Sequence, residues 1–302
     1  MARTLVAPVS FGLGDLVVSL PAAQALIDEY RRGGDETWLV ARSHSQRLLA
    51  PRIAGLSGCL DETSLATSGP ADRIVDLRDH PLQRDFWWGS DHFAAAFGAL
   101  DINDILSRIC ADFGIAADFS RPVPLDAHPR PEMADTVLMV TETDGPSKAW
   151  PPKRWAALAR LLNDAGRRVS RVTRHPGRLG GPLRGIPEVA APTPGDAVDV
   201  LTSCRAVVGI DTGLTHIASQ QGTPTVTICR RASVYVRPWS HCRVLRGGSC
   251  TEDCRATEAA YAYNRLVHLE GFEPQPWTCP SMASCLEQAG VEAAAGLLLE
   301  LL

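Results

Sequence analysis

The sequence predicts an α/β protein of two Rossmann-like parallel-sheet domains facing a cleft, and three observations carry that prediction. Short apolar, β-rich runs alternate with stretches of helical periodicity along most of the 302 residues. Polar, glycine-bearing turns stand where strands hand over to helices, as at Gly12-Leu-Gly-Asp15 and Asp211-Thr-Gly-Leu-Thr-His216. A proline-rich stretch, residues 120–131, separates two such series.

In the first series, residues 3–9 predict a strand and residues 16–32 a helix with Pro21 inside it. Residues 36–41 predict a second strand, and 73–77 a third. Between 79 and 100, Phe86, Trp87, Trp88, Phe93 and Phe97 with His80 and His92 either fill a core or face a substrate. Residues 101–113 form a helix. This N-terminal domain spans residues 1–120, and 121–135 is the linker. The C-terminal domain, 136–302, opens with a strand at 136–140 and a helix at 153–162. A strand at 168–173 and a helix at 196–203 follow. Then come a strand at 205–210, a helix after the Asp211–His216 turn, and a strand at 225–229. A last helix covers 284–302 and is apolar along one side.

A hydrophobic fraction of 45% and a charged fraction of 21% describe a soluble globular chain. The net charge of −4 gives no global reason to bind nucleic acid or an anionic membrane. No run approaches the roughly 20 apolar residues of a membrane span. Asp15 interrupts the only stretch resembling a secretory leader, so a cytoplasmic location is expected. Of the 30 basic residues only Lys148 and Lys153 are lysines. A compact ammonium where arginine is otherwise used draws attention to the segment around residue 148.

The nine cysteines fall into two groups. Cys59, Cys110, Cys204 and Cys229 lie among apolar neighbours and are expected to be core thiols. Cys242, Cys250, Cys254, Cys279 and Cys285 crowd into one late segment, 242–285. Cys250-x3-Cys254 and Cys279-x5-Cys285 are two pairs of thiols suited to zinc or iron, with looser spacing than a C-x2-C pair. Reduced free thiols are the plainer alternative, and the expected compartment disfavours disulfides.

Ligands in parallel sheets sit beyond the carboxyl ends of strands, where the next helix begins. Asp211, Thr212 and Gly213 fall at that place, with Leu214 and His216 behind them. Free backbone N–H groups and the positive end of a helix dipole suit a phosphate there. Thr143 and Lys148, before a proline-started helix, suit a diphosphate, although the glycine spacing is not that of a Walker loop. In the first domain Gly12 and Gly14 permit close approach to the backbone, and Asp15 is a carboxylate at the mouth. Its plainer role is to cap the helix that follows.

Three motifs together resemble glycosyltransferase family 9, the heptosyltransferases of the GT-B fold. They are Gly12-Leu-Gly-Asp15 with Leu20-Pro-Ala22, Lys148-Ala-Trp-Pro-Pro-Lys-Arg-Trp155, and Asp211-Thr-Gly-Leu-Thr-His216 with Ala218 and Gly222-Thr-Pro224. The resemblance implies an inverting transfer of a sugar, heptose by preference, from an ADP-sugar to an acceptor hydroxyl. It implies Asp15 as general base, and Thr143, Lys148 and residues 211–216 as the holders of the donor diphosphate. It calls for no catalytic metal. A glycan, a protein or a small molecule is the acceptor, and homo-oligomerisation stays open.

Two departures stand out. The family usually places a carboxylate for the donor ribose after the middle strand of the second domain, where this chain has Thr173-Arg-His-Pro-Gly177. The late cysteines resemble the four-Cys iron finger of the autotransporter protein heptosyltransferases in position and number. That likeness implies structural iron or zinc held by Cys250, Cys254, Cys279 and Cys285. A nucleotide-sugar epimerase of the same fold and a non-catalytic metal-stapled assembly module are the competing readings.

Overall fold

Two all-parallel sheets organise the chain. The computed structural model describes residues 2–8, 10, 12–63, 69, 72–77, 80–84, 91–98, 100–143, 148–176, 183–230, 233–248, 252 and 284–302. The first half runs β1 (Arg3–Ala7), α1 (Leu13–Arg32), β2 (Glu36–Ala41), α2 (His44–Leu49), β3 (Gly58–Asp61) and β4 (Asp72–Asp76). It continues through α3 (Pro81–Arg84), α4 (Asp91–Phe97) and α5 (Ile102–Asp112). Its sheet has the order β3-β2-β1-β4. Central β1 is buried along Thr4–Ala7, as the near-continuous apolar run of a parallel strand covered on both faces requires. Of the aromatic stretch, Phe93 is buried in this half's core and His80 hydrogen-bonds Asp112 at 2.8 Å. Phe86, Trp87 and Trp88 lie outside the described residues, as does the His92 side chain.

The second half runs β5 (Thr136–Val140), α6 (Pro152–Asp164), β6 (Arg168–Thr173), β7 (Glu188–Ala190), α7 (Pro194–Ser203), β8 (Ala206–Ile210) and α8 (Gly213–Gln220). It ends with β9 (Thr225–Cys229), β10 (Cys242–Arg246), α9 (Ser284–Glu287) and α10 (Val291–Leu299). The sheet order is β10-β9-β8-β5-β6-β7.

Three expectations are corrected. α1 begins at Leu13 rather than Leu16, because Gly12 is extended and the Asp15 carboxylate accepts the Gly12 N–H at 3.2 Å. The terminal helix is two short helices, divided at Gly290, whose backbone is extended. Cys242 does not belong to a separate Cys-rich segment. It opens β10, an edge strand of the second sheet, and is buried there.

The linker is laid down on the second half rather than loose. Backbone N–H groups of Val123 and Leu125 donate to the side-chain oxygens of Gln220 and Gln221 at 3.1 and 3.0 Å. Those of His128 and Arg130 donate to Asp199 and Ser203 at 2.7 and 2.8 Å. A proline-rich strand has few N–H groups, and these are met by side chains instead of a neighbouring strand.

The halves share a core. Leu16, Val17 and Leu20 of α1 cluster with Leu138 and Val140 of β5 and with Ile217 and Ala218 of α8. Pro21 brings no N–H to α1, which leaves the Val17 carbonyl without its helical donor. The Gln220 side chain fills that vacancy from the other half, donating to Val17 O at 3.0 Å. Buried Arg237 donates to the next carbonyl, Val18, and to Asn103 Oδ1 of α5 at 2.5 Å. Burial pushes its guanidinium down to about 10, and the rings of Phe119 and Trp239 flank it.

Candidate active site

Topology fixes where a ligand fits. In the second sheet the chain leaves β5 toward β6, while β8 lies on the other side, so the order reverses between β5 and β8. In the first sheet it reverses between β1 and β4. Crevices at such points, beyond the carboxyl ends of the strands, are the binding places of open α/β sheets. The helices leaving the two crevices, α1 and α8, meet at their first turns. A Cβ on Gly14 would lie 3.3 Å from the Gly213 nitrogen, and one on Gly213 only 3.0 Å from the Gly14 nitrogen. The backbones touch, and glycine on both sides permits it.

Asp211 follows β8 and turns its carboxylate inward. His216 Nε2 lies 2.9 Å from Asp211 Oδ1, and Ser233 Oγ donates to Oδ2 at 2.8 Å. Lys148 Nζ donates to the Asp211 carbonyl at 3.2 Å. Burial alone would push the Asp211 carboxyl up. The charge of Lys148, with His216 and Ser233, outweighs it and holds the group far below the usual carboxylate range. The side chain therefore orients His216 and Ser233. What the turn presents to a ligand is the backbone of Thr212 and Gly213 at the start of α8, and His216 beside Gly14.

Among the described residues, the buried hydroxyls of Thr141 and Thr212 have no hydrogen-bond partner. One follows β5 and the other caps α8, so both stand at the β5/β8 crevice with Lys148. Unpaired buried hydroxyls are uncommon, and a bound oxyanion would satisfy them. Lys148 is carried by a well-anchored segment. Trp150 and Trp155 pack edge to face at 4.8 Å in the core, and Trp150 Nε1 and Arg154 Nη1 both donate to the Ala289 carbonyl at 3.2 and 2.7 Å. The tryptophans and Arg154 of that motif anchor the segment that carries Lys148.

Thr143 lies beyond β5, half-buried, one residue past Glu142. Leu214 packs against the shared core. Asp15 stands half-buried in the first turn of α1, next to Gly14, and also accepts the Gly12 N–H. Cys250, Cys254 and Cys279 lie outside the described residues, whereas Cys285 is buried in α9. Among the described residues no group of three or more His, Cys, Asp or Glu is placed to hold a metal ion. Thr141, Glu142 and Ser233 were missed by sequence reasoning. Thr141 and Glu142 follow a strand directly, the one signal that marked them, whereas only the fold brings Ser233 to Asp211.

Two Rossmann-like sheets with crevices facing across a shared helix junction are the architecture of a GT-B glycosyltransferase. Residues 116–258 match the family model of glycosyltransferase family 9 (heptosyltransferase). Escherichia coli heptosyltransferase WaaC, solved with ADP, has a TM-score of 0.65 at 14% identity, over 99% of this chain and 100% of that one. A family 9 glycosyltransferase from Veillonella parvula has a TM-score of 0.64 at 14% identity, over 99% and 97%. The iron-containing dodecameric glycosyltransferase TibC of enterotoxigenic E. coli has a TM-score of 0.62 at 18% identity, over 99% of this chain and 76% of TibC. Identities this low speak to the fold alone. No curated protein matches the chain in sequence. Among the described residues no helix is long and apolar enough to cross a membrane.

Proposed function

We propose that this protein transfers a sugar, heptose by preference, from an ADP-sugar to an acceptor hydroxyl with inversion. One observation carries the reading: Lys148 and the unpartnered hydroxyls of Thr141 and Thr212 gather at the β5/β8 crevice. Asp15 stands in the first turn of α1, next to the Gly14–Gly213 junction. The diphosphate lies at the start of α8, where Lys148, the helix N–H groups and the two hydroxyls receive its charge. Asp15 takes the proton of the acceptor hydroxyl as that oxygen attacks the anomeric carbon. The bond from that carbon to the diphosphate oxygen breaks, and ADP leaves with the electron pair. His216, held by Asp211, lies between the halves beside the sugar. The ADP in the WaaC structure and the ADP-heptose in a TibC structure support adenine as the base and heptose as the sugar.

The late cysteines are a separate proposal. Four thiols in two pairs have the donor chemistry for structural iron or zinc, and the iron of TibC supports it. Cys250, Cys254, Cys279 and Cys285 would hold the ion and stabilise their own loop.

A thermal-shift screen of nucleotide sugars, with elemental analysis of the same sample, tests both proposals. ADP-heptose should raise the midpoint most, and ADP should be released only when an acceptor is supplied. A larger shift with a UDP- or GDP-sugar contradicts the donor assignment. Release of free nucleotide is not expected of an epimerase. A sample with neither iron nor zinc contradicts the metal assignment.

A further inference from the structure

Gln46, in α2, is fully buried although its side chain is an amide. Its Nε2 donates to the carbonyls of Ser10 at 2.7 Å and Gly12 at 3.1 Å, and its Oε1 accepts the Arg42 N–H at 2.9 Å. Both amide N–H groups and one oxygen lone pair are thus engaged with main chain. An amide suits this place because the two carbonyls take donors while the Arg42 N–H takes an acceptor. An apolar side chain of the same size would deprive all of them of that partner.

What Gln46 grips is the turn that leads into Asp15. The Gly12 N–H donates to Asp15 Oδ2 at 3.2 Å. The carbonyls of Ser10 and Gly12 belong to the peptide groups before and after the one that carries this N–H. Each peptide group is planar, so holding both neighbours restricts the rotation of the plane between them. The direction in which the N–H meets the carboxylate is set in this way. Gly12 has no β-carbon to limit its backbone, which makes an outside grip on the turn effective. The same turn touches the start of α8 through Gly14 and Gly213. Gln46 on one element and Gly213 on another therefore bound it.

We infer that Gln46 is a positioning residue for transfer, setting the place of the Asp15 carboxylate, an inference that rests on the general base proposed above. It acts through Asp15 and takes no part in bond making. A base must lie within hydrogen-bond reach of the hydroxyl that it deprotonates. A misplacement of about 1 Å at such a group costs on the order of 100-fold in rate. Loosening the turn should therefore cost turnover and not donor affinity, since the proposed diphosphate site lies in the second half.

The test follows ADP release from ADP-heptose by the wild type, Gln46→Met, Gln46→Asn and Asp15→Asn. Active sites are counted by calorimetric titration of ADP, and thermal midpoints serve as folding controls. The acceptor probes are a serine- and threonine-bearing peptide, a lipid-linked glycan and a polyol, of which the one that the wild type uses fastest is kept. Gln46→Met should lose between about tenfold and 100-fold in kcat per site, with KM for ADP-heptose and affinity for ADP unchanged. Gln46→Asn keeps the amide on a shorter stem and should fall between the wild type and Gln46→Met; it carries the comparison if Gln46→Met does not fold. Wild-type kcat in a folded variant overturns the inference. A loss confined to KM or to ADP affinity overturns it too, leaving Gln46 a structural tie between α2 and the turn. Turnover of Asp15→Asn at the wild-type rate instead defeats the general base, and a wild type inert toward all three probes removes the transfer on which both rest.

Discussion

At the candidate site the Asp211 carboxylate is turned inward and buried. Both its carboxylate oxygens are engaged, and its side chain is 5% exposed. Asp211→Asn keeps the shape but places an amide N–H against a neighbour that needs an acceptor. We expect a loss of about 3 kcal/mol in urea denaturation, the scale of one broken buried charged partnership. Phosphate affinity should fall with it, because His216 loses its orientation. The cysteines give a second prediction at this scale. Burial pushes the thiols of Cys110 and Cys242 up to about 11 and those of Cys204 and Cys229 up to about 12. At pH 8 they should resist iodoacetamide in the native protein and react after denaturation, as read by mass spectrometry. Apolar neighbours made Cys110, Cys204 and Cys229 legible as core thiols. Cys242 misled because it stands near four other cysteines in sequence, whereas its β10 partners, in β9, come from further back in the chain.

At the scale of elements, the interface between the halves rests on an exception in α1. Pro21 frees the Val17 carbonyl and Gln220 occupies it, so the two residues are energetically coupled. Gln220→Ala should cost about 1–2 kcal/mol in the wild-type background, the value of a buried hydrogen bond and the group left behind. In a Pro21→Ala background an N–H returns to the helix, and the same change should cost less. A double-mutant cycle by chemical denaturation measures the difference; additive costs would contradict the coupling. β1, β2, β5, β6 and β9 were legible from their apolar or β-branched runs. β3, β7 and β10 were not, since they are short strands at or toward the sheet edges with half-exposed residues that blur the pattern. The prolines of residues 120–131 gave no sign that this stretch is strapped to the second half. Its partners Gln220, Gln221, Asp199 and Ser203 lie about as far along the chain as a domain is long.

At the scale of the whole molecule, two buried acids among the described residues have depressed titration, one at the candidate site and one at the join between halves. Asp199 of α7 is opposed by burial, but the His128 N–H and Arg52, which reaches it at 3.0 Å, draw its carboxyl below the usual range. Asp211 behaves likewise. Both therefore bind protons less readily folded than unfolded. The stability they contribute is present above the ordinary carboxylate value of 3.8 and drains away as pH falls below it. The thermal midpoint should be flat from neutral pH to about 5 and drop steeply below 4, as followed by circular dichroism. A midpoint that rises in acid would contradict this. At this scale the site was half legible. Glycine-bearing turns after strands announced Gly12–Asp15 and Asp211–His216, because close backbone approach demands glycine. Ser233, which bonds Asp211, and Thr141, which stands at the same crevice, are ordinary residues placed by the fold.

In the proposed function the second half holds the donor diphosphate through Lys148 while Asp15, across the junction, acts on the acceptor. Calorimetric titration of ADP into the wild type, Lys148→Ala and Asp15→Asn tests it most directly. Lys148→Ala should bind ADP at least about tenfold more weakly, the loss of one charge-assisted contact, and Asp15→Asn should bind it as the wild type does. Wild-type affinity in Lys148→Ala, or loss of ADP binding in a folded Asp15→Asn, would contradict the division of labour between the two halves.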